Sequence, residues 1–390
     1  MKGVSDPSPT EGVRQRNLAR LLRLVHLEGP LSRASLTETT GLNRSTIADL
    51  VGELGRLGLV EERAPDPSRR VGRPSPVVVA DARVVAIAVN PEVDALTIAA
   101  VSLDRSIPLR ERVDVDRLLS PEETAALIAE RVAAWRRGPL ADAQIVGVGL
   151  AVPGLVRASD GLVRNAPHLR WTDAPVRDLV AEATGLATTV GNDATLGATA
   201  EHLFGAAQGL DDVVYLNGGA SGIGGGLIVH GMPLLGAGGY TGEFGQNRPG
   251  IASPVDRRAD GGVLEDEVSR ARLLAAVRLR GADDPTLAAA LAEAGPDSEA
   301  GDEVARQRRI LATALANAVN ALNPAAVVLG GFLATIAAVD LPGLTALVQG
   351  QAMSANAEEL EIRVASLAED RLLIGAAEAA FADLLRDPSA

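Results

Sequence analysis

Two sets of residues in this 390-residue sequence have types and spacings that could do chemistry. Between Asn217 and Leu227 lie Gly218, Gly219, Gly222, Gly224, Gly225 and Gly226, set between apolar runs, and Glu243 follows in a glycine-flanked loop. A backbone that rich in glycine can approach a ligand closely, and its free N–H groups can cradle an anion. The pattern alone fits a phosphate loop, a sugar pocket or a tight hairpin. Near the N-terminus, Arg44, Ser45 and Thr46 open a helical run after Asn43, and Arg69, Arg70 and Arg73 stand in or beside SRRVGRP. Arginines and hydroxyls on the first turn of a helix suit bases and phosphates. An extended Gly-Arg-Pro can enter a narrow minor groove.

The elements needed to position the basic set are legible. Leu18, Leu21, Leu22 and Val25 recur at helical spacing until Gly29-Pro30, a second short helix fits Ser32 to Thr40, and a third follows the N-cap Asn43. Two short apolar strands, around 59–62 and 77–79, flank a loop over 65–74. Three helices and a β-hairpin predict a winged helix-turn-helix over residues 12–80, preceded by a disordered tail, 1–11. Charge agrees: residues 1–80 hold 12 basic against 9 acidic side chains, whereas the rest hold 25 against 41. A mildly basic head on an acidic body implies a head that meets a polyanion, here double-stranded operator DNA.

Residues 82–390 read as α/β. Strands at 83–90, 95–103 and 108–115, a helix at 121–137 and a strand at 144–152 follow the order of the actin-like, sugar-kinase (ribonuclease H-like) fold. Lobe one is expected over about 82–190 plus the C-terminal helix, and lobe two over about 191–370. No apolar run approaches the roughly 18 residues needed to span a bilayer, so no membrane role is expected. Zero cysteines exclude thiolate chemistry and cysteine-ligated zinc, and fit a cytoplasmic protein.

The head together with AVPGLV (151–156), NAPHLRW (165–171), GND (191–193), SGIGGGL (221–227), GEFG (242–245), GGVLE (261–265) and LNPAAVVLGG (322–331) resembles the ROK family of repressors and sugar kinases. The similarity runs from about residue 14 onward and is to the regulator branch, that of the xylose and N-acetylglucosamine repressors. It implies a sugar site lined by Gly154, Asn165, Asn192, Asp193, Glu243, Gln246 and Glu265, with Asp193 at the position of the kinases' general base. A carboxylate beside a hydroxyl can deprotonate it or merely hold it; Asp193 could also simply cap the helix that follows.

Two departures bear on function. The family's kinases end the first strand in an Asp-x-Gly-x-Thr type phosphate loop; here the segment is AVNPEVDALTI, with no glycine and with Asn90 in place of the metal-binding Asp. The expectation is therefore a sensor without kinase activity and with no catalytic residue. Much of the family also holds zinc through a His after the Glu and a cysteine cluster; here stand Gln246 and PVDRRADGGVLE, so no metal and no cofactor is expected. His168 and His230 are isolated and make poor ligands. The resulting expectation is a sugar-responsive regulator, acting as a homodimer or tetramer on paired half-sites. The alternatives are a sugar kinase with a DNA-binding head, and a regulator that no longer binds a ligand.

Overall fold

A computed structural model describes residues 9–64, 76–219, 222–251 and 253–389. The chain forms two compact units, of residues 1–151, 175–190 and 376–390, and of residues 152–174 and 191–375. Among the described residues no single helix is long and apolar enough to cross a membrane.

The first unit starts with α1 (Pro9–Glu28), β1 (Leu31–Ser32), α2 (Arg33–Thr40), α3 (Arg44–Arg56), β2 (Val60–Arg63) and β3 (Val77–Ala80). Ser32 and Asn43 cap α2 and α3, accepting from the amides of Ser35 and Thr46, and Gly41 closes α2 at φ 72°, a conformation that favours glycine. Leu18, Leu21, Leu22, Leu36, Ile47, Leu50 and Leu54 are buried between the three helices. The strands pair in the order β1-β3-β2. The three helices and the paired β2 and β3 stand where the sequence places them, with β1 as an added strand; the loop between β2 and β3 lies outside the described residues. Helix α1 begins at Pro9, inside the stretch 1–11 expected as a disordered tail, and residues 1–8 of that stretch lie outside the described residues.

The same unit continues with β4 (Val84–Pro91), β5 (Ala95–Ser102), β6 (Leu109–Asp114), α4 (Pro121–Arg136) and β7 (Gln144–Val152), as the sequence implies. A long excursion through the second unit, β8 (Leu155–Val156), β9 (Val163–Ala166) and β10 (Trp171–Ala174), precedes α5 (Val176–Thr184) and β11 (Thr188–Asn192). The sheet order is β11-β7-β4-β5-β6, with β4 parallel to β7 and antiparallel to β5. Alternate apolar positions are no longer needed where both faces are covered, which is why β4 is apolar almost throughout.

Two expected boundaries move. No division falls near residue 81: the head belongs to the same unit as β4 to β7. Residues 152–174, expected in lobe one, belong to the second unit, which ends at 375 rather than about 370. The first shift has a visible cause in His26, a buried residue of α1. Its Nδ1 lies 2.6 Å from the carbonyl oxygen of Leu103, and its Nε2 lies 2.9 Å from Oε1 of Glu378. The ring of Phe381 meets it edge-on at 5.9 Å. Both nitrogens face acceptors, an arrangement that favours the doubly protonated ring. Burial disfavours that charge and Arg105 opposes it, but the hydrogen bond and charge of Glu378 and the Leu103 carbonyl outweigh both and raise the pKa.

The second unit carries α6 (Asp193–Phe204), then β12 (Val213–Gly219), β13 (Gly222–Val229) and β14 (Met232–Pro233). Helices α7 (Leu264–Glu267), α8 (Arg270–Ala276), α9 (Asp284–Ala294) and α10 (Glu299–Leu322) follow. The chain ends with β15 (Ala326–Gly331), α11 (Phe332–Val339), α12 (Leu341–Gln349), α13 (Ser354–Ala357), β16 (Glu361–Val364) and α14 (Arg371–Arg386). Its sheet order is β14-β13-β12-β15-β16, parallel at β12/β15 and β15/β16. Leu216, Leu311, Leu315, Val319, Val327 and Phe332 form the centre of its core.

Replacing Glu378 by Leu removes the carboxylate that favours the His26 cation, and the buried ring then gives up its proton, so what is lost is the contribution of the pair. His26 has a folded-state pKa above the unfolded value of about 6.5. The pair therefore contributes fully below that pH and loses its contribution as pH rises through the folded value. Thermal unfolding of Glu378→Leu should show a large deficit at pH 6 that narrows by pH 9; a pH-independent deficit would contradict an ionic joint.

Candidate functional site

The head presents one face built for an anion. Asn43 spends its side-chain oxygen on the Thr46 amide (2.9 Å) and the Ser45 hydroxyl (2.7 Å), which fixes the first turn of α3. Arg44 and Ser45 are exposed there and Thr46 is half-buried. Three other head arginines are occupied internally: Arg33 with Glu62 (2.8 Å), Arg14 with Glu53, and Arg20 with the carbonyls of Thr39 and Thr40. Arg44 makes no such bond among the described residues, so its charge is available at the positive end of a helix. Arg69, Arg70 and Arg73 lie outside the described residues.

The second unit gathers the expected pocket residues, with roles that differ among them. Asn192, not Asp193, caps α6: its Oδ1 accepts from the Thr195 amide (2.9 Å) and its Nδ2 donates to the Gly154 carbonyl (3.0 Å). Gly154 is pressed against β9, where a Cβ would come within 2.5 Å of the Asn165 carbonyl oxygen. Gly154 and Asn192 thus shape the site, while the Asn165 side chain is exposed beside them.

Asp193 is the first residue of α6, with Oδ1 2.8 Å from the Ala194 amide. Burial pushes its carboxyl up to about 6, against the pull of that amide and of Arg371. Glu243 stands before a 3-10 turn, Phe244–Gln246, and makes no side-chain hydrogen bond among the described residues. Its pKa is raised by burial and then by the charges of Asp193 and Glu265, which places the three carboxylates in one field. Glu265 accepts from the Ile223 amide at 3.1 Å and from Nε2 of Gln246 at 2.6 Å, so it closes the far wall rather than standing free.

Arg371 and Tyr215 were not singled out from the sequence. Tyr215 is fully buried, its phenol pKa raised by burial and pulled back by Arg371. Arg371 acts on both Tyr215 and Asp193, and its buried Nε has no hydrogen-bond acceptor. Neither residue lies near Asp193 in sequence, and a lone Arg opening a C-terminal helix carries no local signal.

The glycine run resolves as a hairpin. Asn217↔Gly224, Gly218↔Ile223 and Gly219↔Gly222 pair across β12 and β13, so these backbones sit in a ladder. A Cβ at Gly224 would come within 2.8 Å of the Ala194 Cβ, and one at Gly226 within 2.5 Å of the Ala198 Cβ. The glycines let α6 lie on the strand, and α6 carries Asp193. In the first unit, the ladder of β4 and β5 continues through Asn90↔Thr97 and Pro91↔Leu96, closed by Glu92 N–H to the Ala95 carbonyl at 2.8 Å. Around that turn Arg112 is shared by Glu92 (3.0 Å), Asp94 (3.1 Å) and Asp114 (2.9 Å). The turn offers carboxylates where a phosphate would need N–H groups. Among the described residues no group of three or more His, Asp or Glu is placed to hold a metal.

A carboxylate held near pH 6 by burial costs stability when ionised. Asp193 has a raised folded-state pKa, so its favourable contribution is complete below the unfolded value near 3.9 and is lost as pH rises through about 6. Asp193→Asn should therefore unfold at higher temperature than the parent at pH 8, by about 1–3 kcal/mol of stability, and match it near pH 4. A variant that is less stable at pH 8 would refute this.

Comparison with known proteins agrees with the geometry. Residues 87–382 match the sequence profile described as the ROK family. The "Xylose repressor" of Caldicellulosiruptor bescii is 25% identical over 391 residues, covering 96% of this chain and 98% of that protein. A crystal structure titled as a ROK family transcriptional regulator, homolog of the E. coli MLC protein, superposes with a TM-score of 0.76 at 23% identity, covering 96% of this chain and 98% of the other. The ROK hexokinase of Thermus thermophilus superposes with a TM-score of 0.59 at 26% identity, over 77% of this chain and 99% of its own.

Proposed function

The chain belongs to the ROK family, and from that membership we propose that it is a sugar-responsive transcriptional repressor that binds operator DNA through α3 and has lost kinase activity. The observation that carries this reading is the coincidence of an unpaired Arg44 at the capped start of α3 with full-length similarity to a repressor, head included. The ligand is a sugar or sugar derivative held by Asp193 and Glu243, carboxylates that accept from hydroxyls and have few protein partners. The repressor works as a homodimer or tetramer in the cytoplasm, because one winged helix gives little affinity and paired half-sites are the usual solution.

Against catalysis stands the hairpin at Asn90–Thr97, where a nucleotide would meet Glu92 and Asp94. In favour stands only the retention of Asp193 and the likeness to sugar kinases. Helix α14 supports ligand response. Within the second unit its first turn carries Arg371, beside Asp193, and Gly375 lies flush on Leu196 of α6. Within the first unit Glu378 of the same helix holds His26 of the head. One helix therefore bears both the residue that senses the pocket and the residue that holds the reading head.

Purified protein should retard a DNA fragment carrying its operator, and one of D-xylose, D-glucose or N-acetylglucosamine should change that affinity. Arg44→Ala should weaken operator binding by about 1–3 kcal/mol, roughly five- to hundredfold, with melting temperature unchanged. No retardation at low salt would defeat the proposal, and sugar phosphate formed from ATP, Mg²⁺ and sugar would revive the enzyme reading.

A further inference from the structure

The segment Ser253 to Ser269 carries Glu265 into the pocket, and in much of the family zinc fastens this region. The residues here do not fit zinc. Gln246 stands at the histidine position with its Nε2 already given to Glu265 (2.6 Å). No cysteine is present, and Arg257 and Arg258 occupy the run before Glu265. Cations in place of thiolates repel a divalent ion.

Instead, the segment closes around a guanidinium. Arg306 of α10 is 2% exposed, and each of its five N–H donors has an acceptor. Nε and Nη2 bond the Glu303 carboxylate at 2.9 and 2.7 Å. Nη1 bonds the Asp256 carbonyl at 2.7 Å and the Glu267 carboxylate at 3.0 Å, and Nη2 also bonds the Glu267 carbonyl at 2.7 Å. Glu267 is fully buried, and it accepts in addition from the amides of Arg258 (3.0 Å) and Ala259 (2.9 Å). Arg309 grips the Asp256 carboxylate at 3.0 and 2.7 Å. Oxygens from both ends of the segment thus converge on one fixed cation, as they would on a metal.

Glu265 and Glu267 sit two residues apart on the four-residue α7 and reach opposite partners. Glu267 enters the Arg306 hub, while Glu265 meets the Ile223 amide and Gln246. Fixing one end of so short a turn fixes the other. We propose that Arg306, with Glu267, Asp256 and Arg309, is a metal-independent clamp that positions Glu265 in the ligand site. Arg306 and Glu267 are positioning residues in this scheme. Lysine could not replace Arg306, because an ammonium has three donors on one atom and cannot span four acceptor groups.

This inference stands apart from the repressor proposal, and its test needs neither sugar nor DNA. Site-resolved hydrogen exchange on the full chain reads three amides: Arg258 and Ala259, which report the clamp, and Ile223, which reports Glu265. Arg306→Met should accelerate exchange at all three at least tenfold while Leu216 and Val327, in the central ladder, keep their protection. Arg306→Lys should not restore them, and Glu265→Ala, which removes the acceptor, should free Ile223 alone. If Arg306→Met fails to fold, Arg309→Gln, at the exposed edge of the clamp, should give the same order of effects with smaller size. The proposal is overturned if Ile223 stays protected while Arg258 and Ala259 exchange. It is equally overturned if EDTA dialysis frees all three amides and added zinc restores them.

Discussion

The closest constraint in the second unit is the seat of α6. Ala194 and Ala198 lie on Gly224 and Gly226, the Tyr215 phenol lies against Gly197, and Gly375 lies against the Leu196 backbone. At three of these places, Gly224, Gly226 and Gly375, the glycine admits a neighbour that a Cβ would exclude, and at Gly197 the fit is tight. A helix held at backbone contact on several sides has no room to shift alone, because close-packed interiors transmit displacement rather than absorb it. Asp193 opens that helix, so its carboxylate inherits the rigidity of the seat. The glycines that resemble a phosphate cradle in sequence are there for this packing, and what they position is the Asp193 carboxylate.

The carboxylates of this unit divide by what they accept. Glu201 is fully buried and takes the amides of Ala206 (2.8 Å), Ser366 (3.1 Å) and Leu367 (2.9 Å). Glu267 is equally buried and meets two amides and a guanidinium. Each replaces its lost water with fixed donors, so its charge is tolerated and its role is structural. Asp193 has one amide and Glu243 has none, and burial raises the pKa of both. An acid short of donors at the wall of a site is one whose missing partners a ligand can supply.

How much of this was legible depends on range. The cap at Asn43, the apolar stripe of α1 and the order of strands β4 to β7 are local patterns, and the structure repeats them almost residue for residue, with Ser32 as the cap of α2 rather than its first residue. The assignment within Asn-Asp was not legible, since either neighbour could cap and only the geometry gives the task to Asn192. Glu265 was marked only by the family motif, and nothing local to the sequence told that Glu267, two residues on, would be fully buried. His26, Arg306 and Arg371 carried no signal at all: their partners lie far away along the chain, and nothing in local periodicity marks a charge that will be buried with its counter-ion. The same reason explains the misplaced boundary at residue 81, because composition changes there but the His26 joint makes the head part of the first unit.

That joint determines what kind of response the head can give. A ligand shifts an equilibrium only by its differential affinity for the two states, so the pocket and the head must share an element with distinct arrangements. Helix α14 carries Arg371, in the field of Asp193, and seven residues later Glu378, on His26. His26 has two acceptors and no spare geometry: a hydrogen bond at 2.6 or 2.9 Å is lost within about an ångström of travel. If α14 withdrew Glu378, the buried ring would give up its proton rather than stay charged without its partner, so the His26 bond ties α14 to the head through one carboxylate within the first unit.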